Sequence, residues 1–378
     1  MAENIYQKLA RHLDELPAGY PGTETGVELR ILERLFLPEE AELALHTSLI
    51  PEEAKVIARR AGLGVEETER RLQEMAHKGL IFSIEFPKRP ALYMASQYAV
   101  GIWEYQVENL DVGLIHDMNE YLPTFVNLDT WKKAPQLRTI PVGRSLEASL
   151  QVMTYEKAES LIPGIKKIRV VPCICRREHK MVGEGCDRPE ETCLVFGMGA
   201  YYYERRGIGR EIDVDECLEI LQLADKSALV LQPNNAKKLN NLCCCCGCCC
   251  QVLIHLKKHP RPAEIVSTPF IAVYNAETCQ SCGVCVDRCQ MDAIIMENDK
   301  VNLNQDRCIG CGLCVSTCPT GSLRLVRKPD DQQPRIPSDA MESYIRLGRA
   351  RGKLGPAQMA KMSIKSRWDR WLAGHGKK

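Results

Sequence analysis

No cysteine precedes Cys173 in this 378-residue chain and none follows Cys318. The first 172 residues therefore fold without sulfur chemistry. A run of 18 or more apolar residues is also missing, which argues against a membrane-spanning helix. The opening stretch MAENIYQKLARHLDEL carries charges throughout and has no apolar stretch, so it does not read as a secretory leader, and a cytoplasmic location is expected. Net charge is close to absent, at +1, with a hydrophobic fraction of 45%, as in an ordinary globular protein. No Gly-rich phosphate loop occurs, since GIGRE at 207–211 is too short and lacks the G-x-G-x-x-G frame. No Ser/His/Asp set or paired-carboxylate constellation stands out. The H-x-x-x-H pair, His255 and His259, lacks the glutamate of a zinc-protease helix and reads as structural, at a helix C-terminus whose dipole suits it. His179 reads as a surface residue.

What the chain does have is 20 cysteines, and disulfides are rare in a reducing compartment, so metal or redox chemistry is the expectation. CQSCGVCVDRCQ places Cys279, Cys282, Cys285 and Cys289 at C-x2-C-x2-C-x3-C spacing. CIGCGLCVSTCP repeats it with Cys308, Cys311, Cys314 and Cys318 at an offset of 29. The frame recurs with the cysteines: Gly283 with Gly312, Val286 with Val315, Glu277 with Asp306, Ile294 with Leu323. C-x2-C pairs also serve zinc ribbons, but two complete four-cysteine runs in tandem argue against that reading. The duplication resembles the bacterial-type ferredoxin with two [4Fe-4S] clusters. That resemblance implies one cluster on Cys279, Cys282, Cys285 and Cys318, and a second on Cys308, Cys311, Cys314 and Cys289, because the fourth cysteine of each run crosses over. The sequence departs from the family at Gln290, where proline is usual; Pro319 is present.

A second set of cysteines runs from Cys173 to Cys250. KIRVV reads as a buried strand, which would put Cys173 and Cys175 on one face if it stays extended. Cys186 and Cys193 follow. DVDECLEILQLADKSALVL reads as an amphipathic helix in which Cys217 is packing. NLCCCCGCCCQ then places seven cysteines in eight positions. Helical periodicity after Gly247 puts Cys248, Cys249 and Cys250 in a first helical turn, where the dipole favours thiolate. The order C-x-C-R, two later cysteines and a CC-x-CCC run before a ferredoxin resembles that of multi-cluster iron–sulfur proteins of anaerobes. Cys244 stands where that pattern has asparagine, which sets it apart from the ligands. The pool for at least one further iron–sulfur cluster is thus Cys173, Cys175, Cys186, Cys193, Cys243, Cys245, Cys246, Cys248, Cys249 and Cys250. One cubane would use four of them and two would use eight.

Residues 51–96 read as two short helices, a strand LIFSIEF, a tip PKRP and a return strand ALYMAS, an order that resembles a winged-helix domain. Ala54, Ile57 and Ala58 are expected to face Leu72, Met75 and Ala76. The second helix, VEETERRLQEMAHK, is not basic, so duplex DNA is not the expected partner; protein docking or dimerisation is. Residues 343–378 hold ten Lys or Arg and one acid, a local charge of +9. Ile364, Trp368, Trp371 and Leu372 fall on one helical face there, suited to an acidic partner, a membrane surface or the chain's own body.

The expected protein is α+β and multidomain: a winged-helix-like domain (1–100), a cysteine-rich iron–sulfur domain with mixed α/β structure (101–262), a two-cluster ferredoxin domain (263–327) and a basic helical tail (328–378). Its expected role is electron transfer between a donor and a partner reductase, with redox proteins docking through the tail, peripheral membrane contact open, and nucleic acid not a partner. A catalytic middle centre fed by the ferredoxin, or a redox-sensing transcription regulator, are the alternatives from other classes.

Overall fold

The computed structural model describes residues 3–375. Met1 and Ala2, at the start of the expected first domain, and Lys377 and Lys378 of the basic tail lie outside the described residues. Helix and strand are mixed, as in an α+β chain. The chain divides into two compact units, Met1–Asn127 with Tyr202–Ile208 and Tyr344–Lys378, and Leu128–Tyr201 with Gly209–Ser343. This division differs from the four segments read along the sequence. Residues 101–127 group with the first unit, and the cysteine-rich and ferredoxin segments share the second.

The first unit opens with α1 (Ile5–Asp14), whose start is closed by a reciprocal pair of hydrogen bonds between Asn4 and Gln7. Helices α2 (Val27–Leu35) and α3 (Pro38–Ala44) follow, then β1 (Glu52–Glu53), α4 (Ala54–Ala61) and α5 (Val65–Lys78). Gly62 ends α4 at φ 68°, a left-handed turn that needs glycine. β2 (Ile81–Ile84) and β3 (Leu92–Ala95) form an antiparallel hairpin, and β1 adds to β3 as a third strand not foreseen in the sequence. α6 (Val112–Phe125) packs on α2. Ala54, Ile57, Ala58, Leu72, Met75 and Ala76 are all buried, with α4 and α5 in contact, as a 3.6-residue period requires. Outside, the arginines of α5 are taken by its own glutamates: Arg70 pairs with Glu67 at 2.8 Å and Glu74 at 2.6 Å, and Arg71 with Glu67 at 2.6 Å.

The second unit contains α7 (Leu128–Lys133), α8 (Ala158–Leu161), β4 (Ile168–Pro172), α9 (Ile174–Met181) and β5 (Glu191–Phe196). Through α10 (Met198–Arg205) the chain passes to the first unit and returns for β6 (Arg210–Ile212), α11 (Val214–Lys226), β7 (Val230–Pro233), β8 (Asn241–Cys245) and α12 (Gln251–Lys258). The strands build one five-stranded antiparallel sheet in the order β6-β4-β5-β8-β7, and α11 lies against β4, β5 and β7. Leu194, Leu242, Cys217, Ala224 and Leu229 are fully buried in its core. The ferredoxin segment adds β9 (Phe270–Tyr274), α13 (Val284–Arg288), β10 (Ile294–Glu297), β11 (Lys300–Leu303) and β12 (Leu323–Arg327), with β9 paired to β12 and β10 to β11.

Three local expectations are corrected here. The helix read over DVDECLEILQLADKSALVL stops at Lys226, Ala228 turns at φ 53°, and the last residues form β7, because Val230 and Leu231 pair with Cys245 and Cys244 in the sheet. The strand before Cys173 does not stay extended. Its register slips at Pro172, which has no N–H to continue the ladder, and α9 starts at Ile174. Cys248 and Cys249 precede α12 instead of forming its first turn, and Cys250 is its N-cap.

α14 (Ala340–Ala350) leads into α15 (Pro356–His375). α15 packs on α4, but by its polar side. Ser366 donates to Glu52 at 2.6 Å, and Asp369 accepts from Arg60 at 2.5 Å and Arg59 at 3.4 Å. Ser366 and Asp369 are buried, whereas Ile364, Trp368 and Trp371 are 66%, 59% and 52% exposed. The apolar stripe thus faces outward, and a buried ion-pair network of Glu52, Arg60 and Asp369 holds the helix. Asp369→Leu leaves part of a buried arginine unpaired and is expected to destabilise by about 3 kcal/mol, at the low end for a broken buried pair because Glu52 remains. Chemical denaturation should show the loss, and hydrogen exchange should show it concentrated in α15.

Candidate metal centres

The cysteine run is divided by strand geometry before any metal is considered. In β8 successive side chains point to opposite faces. Cys243 and Cys245 therefore share one face, and Cys244 shares the other with Leu242, in the core. Cys244 is 1% exposed and burial pushes its thiol well up from the ordinary range. Cys217 is fully buried and pushed up to about 12 by burial. Neither is placed among the other thiols that meet below. After Cys245 the chain leaves the sheet, turns over 247–249 and enters α12 at Cys250.

The other ten thiols fall into two groups. Cys193 sits opposite Cys243 in the β5–β8 pairing. A line of thiol hydrogen bonds runs from Cys193 to Cys243, Cys245, Cys250, Cys175 and Cys173. Cys243, Cys250 and Cys173 accept, which lowers their pKa, most of all for Cys243 and Cys250; Cys175 and Cys245 donate and are raised. Cys250 also accepts the backbone N–H groups of Val252 and Leu253, the free donors of a helix N-terminus. This first group is a chain of six sulfurs.

The second group is compact. The Sγ atoms of Cys186, Cys246, Cys248 and Cys249 all lie within 4.8 Å of one another. Burial raises the Cys186 thiol, but the Arg188 backbone N–H and the neighbouring thiols outweigh it and bring it to about 7. Two guanidiniums attend the sulfurs. Arg176 is 3% exposed; its Nη1 donates to the Cys244 carbonyl at 3.1 Å and lies 3.6 Å from Cys246 Sγ, while Nη2 donates to Thr192. Burial opposes its charge, but the neighbouring sulfurs of Cys173, Cys246 and Cys245 hold its pKa above the ordinary value. Arg176 thus touches both groups. Arg188 reaches Cys248 Sγ at 3.3 Å. The arginine of C-x-C-R was visible in the sequence without a role; Arg188 carried no signal.

In the ferredoxin segment, one cavity is lined by Cys279, Cys282, Cys285 and Cys318, and another by Cys289, Cys308, Cys311 and Cys314. The chain thereby brings together the two quartets that the crossing pattern implies. Backbone N–H groups point at the sulfurs: Ser281 to Cys279 at 3.4 Å, Ala293 to Cys289 at 3.2 Å, and Ala272 to Cys308 at 3.4 Å. Burial raises the thiols of Cys285, Cys308, Cys311 and Cys314, Cys311 to about 12. Cys318 runs the other way, because the N–H groups of Leu323, Thr320 and Ser322 outweigh its burial.

Among the histidines, His179 is more enclosed than expected. Its ring bonds the Cys175 carbonyl at 2.8 Å, and its side chain, 11% exposed, lies beside fully buried Glu178. His255 bonds the Gln251 carbonyl at 2.7 Å within α12, and His259 accepts from the Arg261 N–H.

The cysteine turn and the ferredoxin segment are fastened together at Gln290. Its side-chain Oε1 accepts the Gly247 N–H at 2.8 Å, and a Cβ on residue 247 would run into the Gln290 carbonyl oxygen. Proline, usual at this position in the resembling family, has no such acceptor. Arg288 adds bonds to the Leu313 carbonyl at 2.7 Å and to the buried Asp225 carboxylate at 2.6 Å, and Arg307 bonds the Lys257 carbonyl at 3.0 Å at the end of α12.

Residues 272–325 match the family model of the 4Fe-4S dicluster domain. No curated protein and no solved structure matches the chain. Replacing Gln290 by Ala strands the buried Gly247 N–H, a loss of about 1–3 kcal/mol. Anaerobic denaturation should register that loss while the iron content of the protein stays constant, since no cysteine changes.

Proposed function

We propose that this protein relays single low-potential electrons between a donor and a partner reductase through a dicluster ferredoxin segment and at least one further iron–sulfur centre in the cysteine-rich region. The observation that carries the reading is the pair of four-cysteine cavities inside the matched dicluster domain. A 4Fe-4S dicluster domain implies iron–sulfur electron transfer. Cys279, Cys282, Cys285 and Cys318 hold one cluster and Cys308, Cys311, Cys314 and Cys289 the other. Such clusters supply one-electron redox chemistry without making or breaking substrate bonds. The chain's own contribution is the set of backbone N–H groups aimed at the sulfurs of Cys279, Cys289 and Cys308.

The third centre is held by the chain of six sulfurs, drawn from β8, the central strand β5, the α9 start and the α12 N-cap. It lies in the same compact unit as the dicluster segment, and the Gly247–Gln290, Arg288–Asp225 and Arg307–Lys257 bonds fix one against the other. A rigid joint of this kind suits electron passage, because fixed centres lose no time to a docking step. The α4–α5 and β2–β3 arrangement is put to docking and not to duplex binding, because the α5 arginines are already paired with its glutamates.

The partner surface is α15. Lys361, Ile364, Lys365, Trp368 and Trp371 are presented outward while the opposite side is tied to α4. A redox protein with an acidic rim fits this basic, indole-bearing face. No helix among the described residues is long and apolar enough to cross a membrane.

Replacing Cys311 by Ser should lower iron content and alter the electron paramagnetic resonance of the reduced protein. Unchanged iron with an unchanged reduced spectrum would reject the assignment. For docking, Lys361→Glu combined with Lys365→Glu should slow electron delivery to the partner several-fold at low ionic strength and much less at high, because surface charge attraction is screened by salt. Equal rates at low salt would exclude α15 as the contact.

A further inference from the structure

We infer that Cys186, Cys246, Cys248 and Cys249 hold a single tetrahedral divalent ion, zinc or mononuclear iron, as a site separate from every iron–sulfur cluster of the chain. The proposal goes beyond the electron-transfer reading and does not need it.

Sulfur spacing decides the matter. Four thiolates 2.3 Å from one ion, arranged tetrahedrally, stand about 3.8 Å apart. Here Cys186 and Cys249 are 3.6 Å apart, Cys248 and Cys249 3.9 Å, and Cys186 and Cys246 4.0 Å. The thiolates of a cubane each bind a different iron and must stand wider. The chain carries its own control. Among the described residues, no three cysteines of the matched dicluster domain come within 4.8 Å of one another, whereas this quartet does.

Donor chemistry and charge agree with the size. A closed set of four soft thiolates selects zinc or iron over hard cations. Four thiolates on a divalent ion leave two negative charges, and Arg176 and Arg188, 3.6 Å and 3.3 Å from the sulfurs of Cys246 and Cys248, supply two positive ones. Binding converts four thiols to thiolates and releases up to four protons to solvent. The ion would join the loop after α9 to the turn after β8, 60 residues apart at Cys186 and Cys246, and so hold the turn whose Gly247 meets Gln290. With no open coordination position, the role is to fix that turn.

The test is metal and acid-labile sulfide analysis of the full chain purified without oxygen from cells supplied with iron and zinc. Cluster iron is matched by sulfide one to one. The expected result is one equivalent of zinc, or of iron without sulfide, above that match. X-ray absorption at the edge of that metal should give sulfur neighbours near ~2.3 Å. Cys186→Ser with Cys248→Ser should remove that equivalent and leave sulfide unchanged. Metal equal to sulfide in the wild type, or loss of iron and sulfide together in the variant, would overturn the proposal. If the variant does not fold, cobalt(II) introduced into the wild type decides. Intense sulfur-to-cobalt absorption of a tetrathiolate supports the site, and its absence rejects it. Failure of the electron-transfer reading would show on another signal, the lack of sulfide.

Discussion

The approach of the backbone at Gly247 to Gln290 is the constraint on which the second unit depends. A side chain at 247 would strike the Gln290 carbonyl, so glycine is required between two blocks of cysteine, and the Gln290 amide then caps the Gly247 N–H. That contact puts the turn of the cysteine run directly on the residue after Cys289, one of the ferredoxin cysteines. Arg288, on the other side of Cys289, closes on Asp225 at the end of α11. Two neighbours of one cysteine thus bind the cysteine-rich sheet and the ferredoxin segment into one body, and the departure from proline at 290 has a physical use.

The second organising effect is the alternation of a β-strand. Consecutive cysteines on a helix would spread around its axis. On β8 they are dealt to two faces, with Cys244 into an apolar core and Cys243 and Cys245 toward Cys193 and Cys250. Past the strand the turn gives a third direction, in which Cys246, Cys248 and Cys249 meet Cys186. Seven cysteines in eight positions therefore serve three environments without crowding one. Arg176 sits at their junction, its charge favoured by sulfurs on both sides.

In the first unit the same logic of polar burial governs the tail. A helix with two exposed tryptophans would be expected to hide them, but α15 is held by Ser366 and Asp369 against Glu52 and Arg60. Buried, doubly bonded charges fix orientation, and here they fix which side of the helix is offered outward.

The sequence by itself determined the ferredoxin segment. Its eight cysteines are legible without coordinates from the duplicated spacing, and the resemblance that this spacing carries implies their crossing pattern. It also determined the short helices and hairpin of residues 54–95 and the core positions of α4 and α5, because periodicity reports burial directly. Cys244 and Cys217 were separable from the other thiols, one by a pattern and one by a helical stripe. Only the tertiary structure decided how the remaining ten cysteines divide. That division depends on a register between β5 and β8, on Pro172 ending β4, and on a turn placing Cys246 and Cys249 against a residue 60 positions away. Local pattern carries none of these, since strand pairing is set by contacts distant in the chain. The same reason hid the end of α11 at Lys226, where sheet pairing overrode an amphipathic run, and the outward turn of Trp368 and Trp371, where buried ion pairs outweighed the apolar stripe.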